Sequence, residues 1–241
     1  QEGQRAPEAQ GGSKVALPLT TDQPDRTAPP AARAVARSFI GARLGSLFAF
    51  LPVGVWTINH LWNNLASYNG GDAWQTSVTG HSSNASSALV MAIVLVPLLW
   101  HTVWGIGRMF RTRGSSARYF GSLRYWLQRA SAVGLLAFLG AHLWLAWAHP
   151  RFFEGHAETF ADISHEMHYE SATLIVYVLG ILAIAYHLAN GLWSFCTMGW
   201  GICVSKSSIK WLERIAIVFF LILLGIGWGA VYGLYSGAAP A

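Results

Sequence analysis

Five long apolar runs, separated by short polar connections, make up most of the chain after residue 36. Each run approaches the roughly 20 residues that an α-helix needs to cross a hydrocarbon layer of about 30 Å. Pro52 and Pro97 fall inside the first two runs, and membrane helices tolerate proline where neighbouring groups satisfy the freed carbonyl. The pattern predicts an all-α membrane protein with five transmembrane helices, at about 40–66, 86–108, 124–148, 171–195 and 212–236.

Residues 1–36 have a different composition, rich in Gln, Pro, Ala and Gly and poor in large apolar side chains. A segment of this kind cannot bury enough apolar surface to fold, which predicts a disordered tail. The tail also lacks the apolar core of a signal peptide, so we expect no cleavage and secretion. We therefore divide the chain into this tail, 1–36, and a transmembrane domain, 37–241.

Basic residues are distributed unevenly between the two sides of the predicted membrane domain. The chain is 53% hydrophobic and 11% charged, which is unusual for a soluble domain and typical of a multi-span membrane protein. The formal charge of +5 would suit nucleic acid, but the charges follow membrane topology, so we expect no nucleic-acid partner. Twelve basic residues lie on one side: Arg33, Arg37, Arg43, Arg108, Arg111, Arg113, Arg118, Arg124, Arg129, Lys206, Lys210 and Arg214.

The opposite loops and the C-terminus carry a single basic residue, Arg151. By the positive-inside rule, the N-terminus lies in the cytoplasm and the C-terminus lies outside the cell's inner (cytoplasmic) membrane. The outer connection after the third run is acidic, with carboxylates at every fourth position: Glu154, Glu158, Asp162, Glu166 and Glu170. If that connection is helical, these residues form one stripe, which is either a solvated face or a proton-accepting surface.

Four of the five apolar runs carry one histidine each within the run: His60, His101, His142 and His187. A histidine inside a membrane helix is costly and marks a functional site with a partner. One such residue on each of four helices suggests two axial ligand pairs, as in a bundle that holds two b-type haems. Polar links between helices and a proton path remain the alternatives.

The depth of each histidine favours one of the three possible pairings. At a rise of 1.5 Å per residue, His60 and His142 lie about 25 and about 20 Å from the basic side. His101 lies only about 10 Å from Arg108, and His187 comes 16 residues into a helix that descends from outside. We therefore expect an outer pair, His60 with His142, and an inner pair, His101 with His187.

Four stretches match one family in order, spacing and histidine positions: ARLGSLFAFLPVGVWTINHLWNN, LVPLLWHTVWGIGRMF, YWLQRASAVGLLAFLGAHLW and YHLANGLWSFCTMGWGICVS. Over about residues 38–236 the chain resembles the cytochrome b membrane anchors of succinate:quinone oxidoreductases (succinate dehydrogenase and fumarate reductase), of the single-chain, five-helix, two-haem kind. The resemblance implies a four-helix haem-binding bundle plus one further helix. It also implies outer-haem ligands at His60 and His142 and inner-haem ligands at His101 and His187.

Further site residues follow from the same resemblance. The family's propionate-binding serine corresponds to Ser46, and its aromatic residue before the third ligand corresponds to Tyr125 or Trp126. Arg43, Gln128 and Arg129 lie at the same cytoplasmic level, where charge-assisted hydrogen bonds can neutralise haem propionates. Some fumarate reductases have a glutamate two residues before the fourth ligand; this chain has Ala185 there, which puts that proton path in doubt.

The resemblance implies a complex with a flavoprotein subunit that oxidises succinate and an iron–sulfur subunit, both on the cytoplasmic side. Electrons would pass from the iron–sulfur subunit through the inner and outer haem b to a quinone, with menaquinone favoured. The chain itself would contribute no catalytic residue for succinate oxidation. We expect the quinone near the outer haem and the outer ends of the first two helices, in the membrane lipid, with Asp72 and His81 as candidates for handling its protons.

Two other classes of protein remain as alternatives. One is the two-haem cytochrome b of a hydrogenase or formate dehydrogenase, which typically has two ligands on one helix. The other is a haem-free transporter that uses its histidines for protons or metal. One histidine on each helix argues against the first class, and a visible absorption spectrum would distinguish the second.

Overall fold

The computed structural model describes residues 40–41, 43–80, 84–111 and 122–237. The predicted tail, 1–36, and the candidate quinone residue His81 lie outside the described residues. Within the described ranges the regular elements are helical, and no strand is present. Their bounds are α1 Arg43–Asn69, α2 Asn84–Arg111, α3 Leu123–Glu154, α4 Phe160–Tyr169, α5 Ser171–Gly199 and α6 Lys206–Ser236.

Five of these helices, all except the short α4, are long and apolar enough to cross a membrane. This confirms the predicted all-α fold with five transmembrane helices. Large apolar side chains stay exposed along the helices, among them Val103 and Phe110 of α2 and Ile217 and Leu221 of α6. Such side chains are what a lipid-facing surface requires, because the hydrocarbon layer is the solvent for these helices.

Two helices extend furthest beyond the predicted apolar runs. Helix α6 begins at Lys206 and not near 212, because Ser205 and Ser208 form a capping box in which each hydroxyl accepts a hydrogen bond from the other residue's backbone N–H. Helix α3 does not end near 148 but continues to Glu154 through two π-helical segments, Trp144–Ala148 and Pro150–Glu154. Pro150 fits there because the first residue of a turn needs no backbone donor.

Helix α5 is the central element, packed against α3 on one side and α6 on the other, while α1 packs against α2 and α6. Small residues allow the close approach of the central helices. A Cβ at Gly180 of α5 would overlap the Phe138 ring of α3, and a Cβ at Gly227 of α6 would overlap Ile181 of α5. The backbones therefore meet where a larger residue would force them apart.

One end of the bundle gathers basic residues from several helices. Arg129 of α3 donates to the Met109 carbonyl of α2 at 3.1 Å, and Arg124 forms an ion pair with Glu213 of α6 at 3.4 Å. The guanidinium of Arg43 lies 5.4 Å from the centre of the Trp200 ring. Arg43, Arg124 and Arg129, which the sequence assigned to one side, thus lie at one end.

The other end is held together by Gln75, which follows α1 in the short helical segment Gly71–Thr79. Its side-chain Nε2 donates to the Glu158 carbonyl, and its Oε1 accepts from the Phe160 backbone N–H, both at 3.0 Å. Thr159 caps α4, because its hydroxyl accepts from the backbone N–H of Asp162 at 3.2 Å. These bonds attach the connection between α3 and α5 to the outer end of α1.

Candidate functional site

The structure brings His60 of α1 next to His142 of α3. Their ring centres are 5.9 Å apart, with an angle of 64° between the ring planes. The Tyr177 hydroxyl of α5 lies 3.0 Å from Nδ1 of His142, and the Phe138 ring stacks on the same imidazole. On the opposite side, Trp56 stacks on His60 at 4.7 Å. Each imidazole of this outer pair is therefore supported on one face by an aromatic ring.

His101 of α2 and His187 of α5 form the second pair, with ring centres 6.2 Å apart and an interplanar angle of 75°. The Gly45 carbonyl lies 3.2 Å from Nδ1 of His101. A carbonyl only accepts, so Nδ1 carries the proton and the lone pair is on Nε2. For His187, Ser131 Oγ lies 3.4 Å from Nδ1 and donates its own proton to the Gln128 carbonyl at 2.9 Å.

The two imidazoles of each pair have the separation that binding to one shared metal ion requires. An iron bound by two imidazole nitrogens at about 2 Å each puts the two ring centres about 6 Å apart. The Gly45 carbonyl at Nδ1 of His101 leaves Nε2 of that ring available, as is usual for metal-binding histidines. Polar groups also lie at Nδ1 of the other two rings and orient them: the Tyr177 hydroxyl at His142, and Gln128 Nε2 and Ser131 Oγ at His187, 3.3 and 3.4 Å away. The donor set therefore fits two bis-histidine metal centres.

Open space lies beside the inner pair. Gly105 follows His101 by four residues and Gly191 follows His187 by four, so each glycine shares a helix face with its histidine. A Cβ at either glycine would meet no neighbouring atom within 4 Å. Polar contacts between helices need no such space, whereas a flat macrocycle held between two imidazoles does. The two glycines thus leave room on the helix faces that carry the inner histidines.

The residues expected around the propionates lie at the inner end of the bundle. Ser46 follows Gly45 directly, and its hydroxyl donates to the Arg43 carbonyl at 2.9 Å. Tyr125 is buried, Trp126 is 55% exposed, and the Arg129 guanidinium lies 4.5 Å from the centre of the Tyr125 ring. These side chains and the cationic groups therefore lie at the same end of the bundle as the inner histidine pair.

Gln128 was predicted to lie near the haem propionates, and it also contacts His187, one of the candidate haem ligands. Its Nε2 donates to the His187 carbonyl at 3.3 Å, and its Oε1 accepts from Asn190 at 2.8 Å. It therefore ties α3 to α5 beside the inner pair. Ser131 and Tyr177 were not predicted from the sequence, because their histidine partners, His187 and His142, lie on other helices.

The outer end holds the quinone candidate Asp72, which is exposed on the segment after α1. Two residues later, Trp74 Nε1 donates to Asn64 Oδ1 at 3.0 Å, and Asn64 Nδ2 donates to the His60 carbonyl at 2.8 Å. Asp72 is thus close along the chain to a run of hydrogen bonds that ends at the outer pair. His81 is not among the described residues, so its part in handling the quinone's protons stays a prediction.

The acidic stripe is not a uniform solvated face. Helix α4 covers only Phe160–Tyr169, so Glu158 and Glu170 lie outside it. The Glu158 side chain is only 4% exposed, because the Gln75 contacts draw this part of the connection onto the bundle. The solvated interpretation is therefore wrong for Glu158.

Comparison with known proteins gives one informative match. The chain is 30% identical over 200 residues to the succinate dehydrogenase cytochrome b558 subunit of Bacillus subtilis (strain 168). The matched region covers 81% of this chain and 96% of that protein. The chain matches no family model and no solved structure.

Proposed function

This chain belongs to the family of succinate dehydrogenase cytochrome b subunits, and we propose that it is the two-haem membrane anchor of such a complex. The observation that carries the proposal is the presence of two facing imidazole pairs, 5.9 and 6.2 Å between ring centres, in one helix bundle. His60 with His142 would hold an outer haem b, and His101 with His187 an inner haem b. When bound, these groups supply one-electron transfer between an iron–sulfur subunit and a quinone.

The residues around the inner pair would fix and neutralise its haem. Gly45 and Ser131 orient the imidazoles, and Gly105 and Gly191 leave room beside them. Ser46, Arg43 and Arg129, together with Tyr125 and Trp126, would bind propionates at the inner end. Gln128 would fix the position of His187 relative to α3.

The partners would be the flavoprotein and iron–sulfur subunits, docked at the basic end of the bundle on the cytoplasmic side. The chain would have no catalytic part in succinate oxidation. It would lie in the inner membrane with its N-terminus in the cytoplasm and its C-terminus outside. The clustering of Arg43, Arg124 and Arg129 at the inner-pair end supports this orientation.

A quinone, favoured to be menaquinone, would be reduced beside the outer pair. A second haem far from the cytoplasmic entry point is useful only if electrons must travel that far. The exposed Asp72, together with His81, would handle its protons at the outer ends of α1 and α2.

The test is the haem content of the purified complex, measured from its visible absorption spectrum and haem-to-chain ratio. We expect two low-spin b haems per chain, reducible by succinate, and co-purification of two soluble subunits. His101→Ala or His187→Ala should remove the inner haem, and His60→Ala or His142→Ala the outer one. One haem per chain, or none, would overturn the proposal, and a colourless protein would favour the transporter alternative.

A further inference from the structure

Two carboxyl groups at the outer end of the bundle, one on the buried Glu158 and one on the half-buried Glu166, each have one oxygen that is buried without a hydrogen-bond partner. Among the described residues, Glu158 Oε1 and Glu166 Oε2 are both shielded from solvent and contact no donor. Glu158 as a whole is 96% buried, since its side chain is only 4% exposed. An ionised carboxylate in such a position costs several kcal/mol, so a group there normally keeps a proton.

The surroundings of Glu158 are mostly acidic. Burial, and after it the charges of Glu166, Asp162 and Glu154, raise the pKa of the Glu158 carboxyl to about 8, and Arg151 lowers it. Burial also raises the pKa of Glu166; Asp162, Glu154 and Glu170 raise it further, while His149 lowers it. The outer half of α6, 227–236, contributes no charged side chain and no histidine, only Tyr232 and Tyr235. On the α1 side, the uncharged Gln75 contacts this connection, and the exposed Asp72 lies three residues earlier on the segment that packs against α4.

A short route leads from these carboxyls to the outer histidine pair. Glu158 and Glu166 both lie close enough to the Tyr177 hydroxyl to interact with it electrostatically. That hydroxyl is 3.0 Å from Nδ1 of His142. The Tyr177 hydroxyl is therefore the described group that lies between the carboxyl pair and the imidazole that would bind the outer haem.

We propose that Glu158 and Glu166 form a buried proton-binding site whose occupancy is linked to the redox state of the outer haem. This inference rests on the proposed function, because it needs an outer haem on His60 and His142. When the site is ionised in the oxidised protein, one electron from the iron–sulfur subunit would add one negative charge at the outer pair. One proton from the water outside then converts a carboxylate of the site to a carboxyl, and it leaves again when the electron passes to the quinone.

The direction of the pH dependence follows from these groups. Well below pH 8 the site keeps its proton in both redox states, so the outer-haem potential should not vary with pH. Above about pH 8 the oxidised form has lost that proton and regains it on reduction. The potential should then fall with rising pH, by up to about 59 mV per tenfold change in proton concentration for one electron.

The experiment is a redox titration of both haems in the intact complex, followed by visible absorption between about pH 6 and about pH 10. We compare the native chain with Glu158→Gln, Glu166→Gln and, as the matched control, Glu170→Gln. Glu170 belongs to the same acidic series but is exposed. The native complex and the control should show the alkaline fall for the outer haem only. Glu158→Gln should reduce its slope at least two-fold, and Glu166→Gln should weaken it.

Two results would overturn the inference. One is an outer-haem potential that does not vary with pH in the native complex, a measurement that needs no variant to fold. The other is an unchanged slope in Glu158→Gln, since a purely structural role would not affect the slope. In either case two haems reducible by succinate would leave the proposed function intact, whereas a missing outer haem would remove both.

Discussion

At the scale of single residues, the decisive feature is the partner of each imidazole. The sequence predicts four membrane histidines and their pairing, because one polar residue in an apolar run is conspicuous and its depth can be counted. It does not predict that Gly45, Ser131 and Tyr177 lie at their Nδ1 atoms. Those partners come from helices that are distant along the chain, so no local pattern marks them.

Tyr177→Phe tests the partner of His142. The change keeps the ring that packs against Phe138 and removes the hydroxyl 3.0 Å from Nδ1. Loss of such a partner typically lowers metal affinity by about 10- to 100-fold, so the outer haem should be lost first as detergent concentration rises. The haem-to-chain ratio and the potentials of both haems measure this.

The inner haem serves as the internal control, and Tyr232→Phe is the matched variant, because Tyr232 is 62% exposed on α6. An outer haem that is retained with an unchanged potential in Tyr177→Phe would contradict the assigned role. Loss of both haems to the same extent would indicate general unfolding and would equally contradict it.

At the scale of elements, the membrane explains what could be predicted. Apolar length identifies all five spanning helices, because hydrocarbon thickness sets that length. It misplaces the start of α6 and the end of α3, where polar residues continue a helix into the interface. It also misses the burial of Glu158, which depends on contacts with Gln75 more than 80 residues away.

Gly180→Ala tests the contact between α3 and α5. The added methyl would overlap the Phe138 ring, so either the ring or the helices must move, at a cost of about 1–3 kcal/mol. Because Phe138 stacks on His142, the outer haem should also become less stable. Thermal unfolding of the solubilised complex, followed by loss of haem absorption, measures both effects.

Gly225→Ala is the matched control for this prediction. Gly225 is exposed on α6, and a Cβ there would meet no neighbouring atom within 4 Å. Alanine is also the better helix former by about 1 kcal/mol, so this variant should be as stable as the native chain or slightly more stable. Equal stability of the two variants would mean that α3 and α5 are not closely packed at Gly180.

At the scale of the whole molecule, the two ends of the bundle have opposite character. At the inner end basic residues pack against tryptophans, and the outer end carries the acidic connection. The charge therefore changes sign from one end of the bundle to the other. This asymmetry was readable from the sequence, because it depends only on which connection each charge occupies. Which residues line the quinone site was not readable, since that depends on side-chain positions at the helix ends.

The orientation of the chain follows from the same asymmetry. A reporter fused after Ala241 should be active only outside the cytoplasm, and one inserted in the 111–122 connection only inside, because basic connections stay in the cytoplasm. Paired reporters that need either compartment for activity measure this. The reverse pattern would exchange the inner and outer haems and would put the acidic connection in the cytoplasm.

The position of the quinone site decides whether both haems are needed. If the soluble subunits dock at the basic end, a quinone reduced beside the outer pair takes its protons from outer groups, for which Asp72 and His81 are the candidates. Asp72→Asn and His81→Ala should each slow quinone reduction about ten-fold or more while succinate oxidation by an artificial soluble acceptor stays unchanged. Glu170→Gln, an exposed acid farther along the chain, should leave both rates unchanged. Full quinone reductase activity in both variants would exclude these two residues, and a quinone bound only beside His101 and His187 would contradict an outer site altogether.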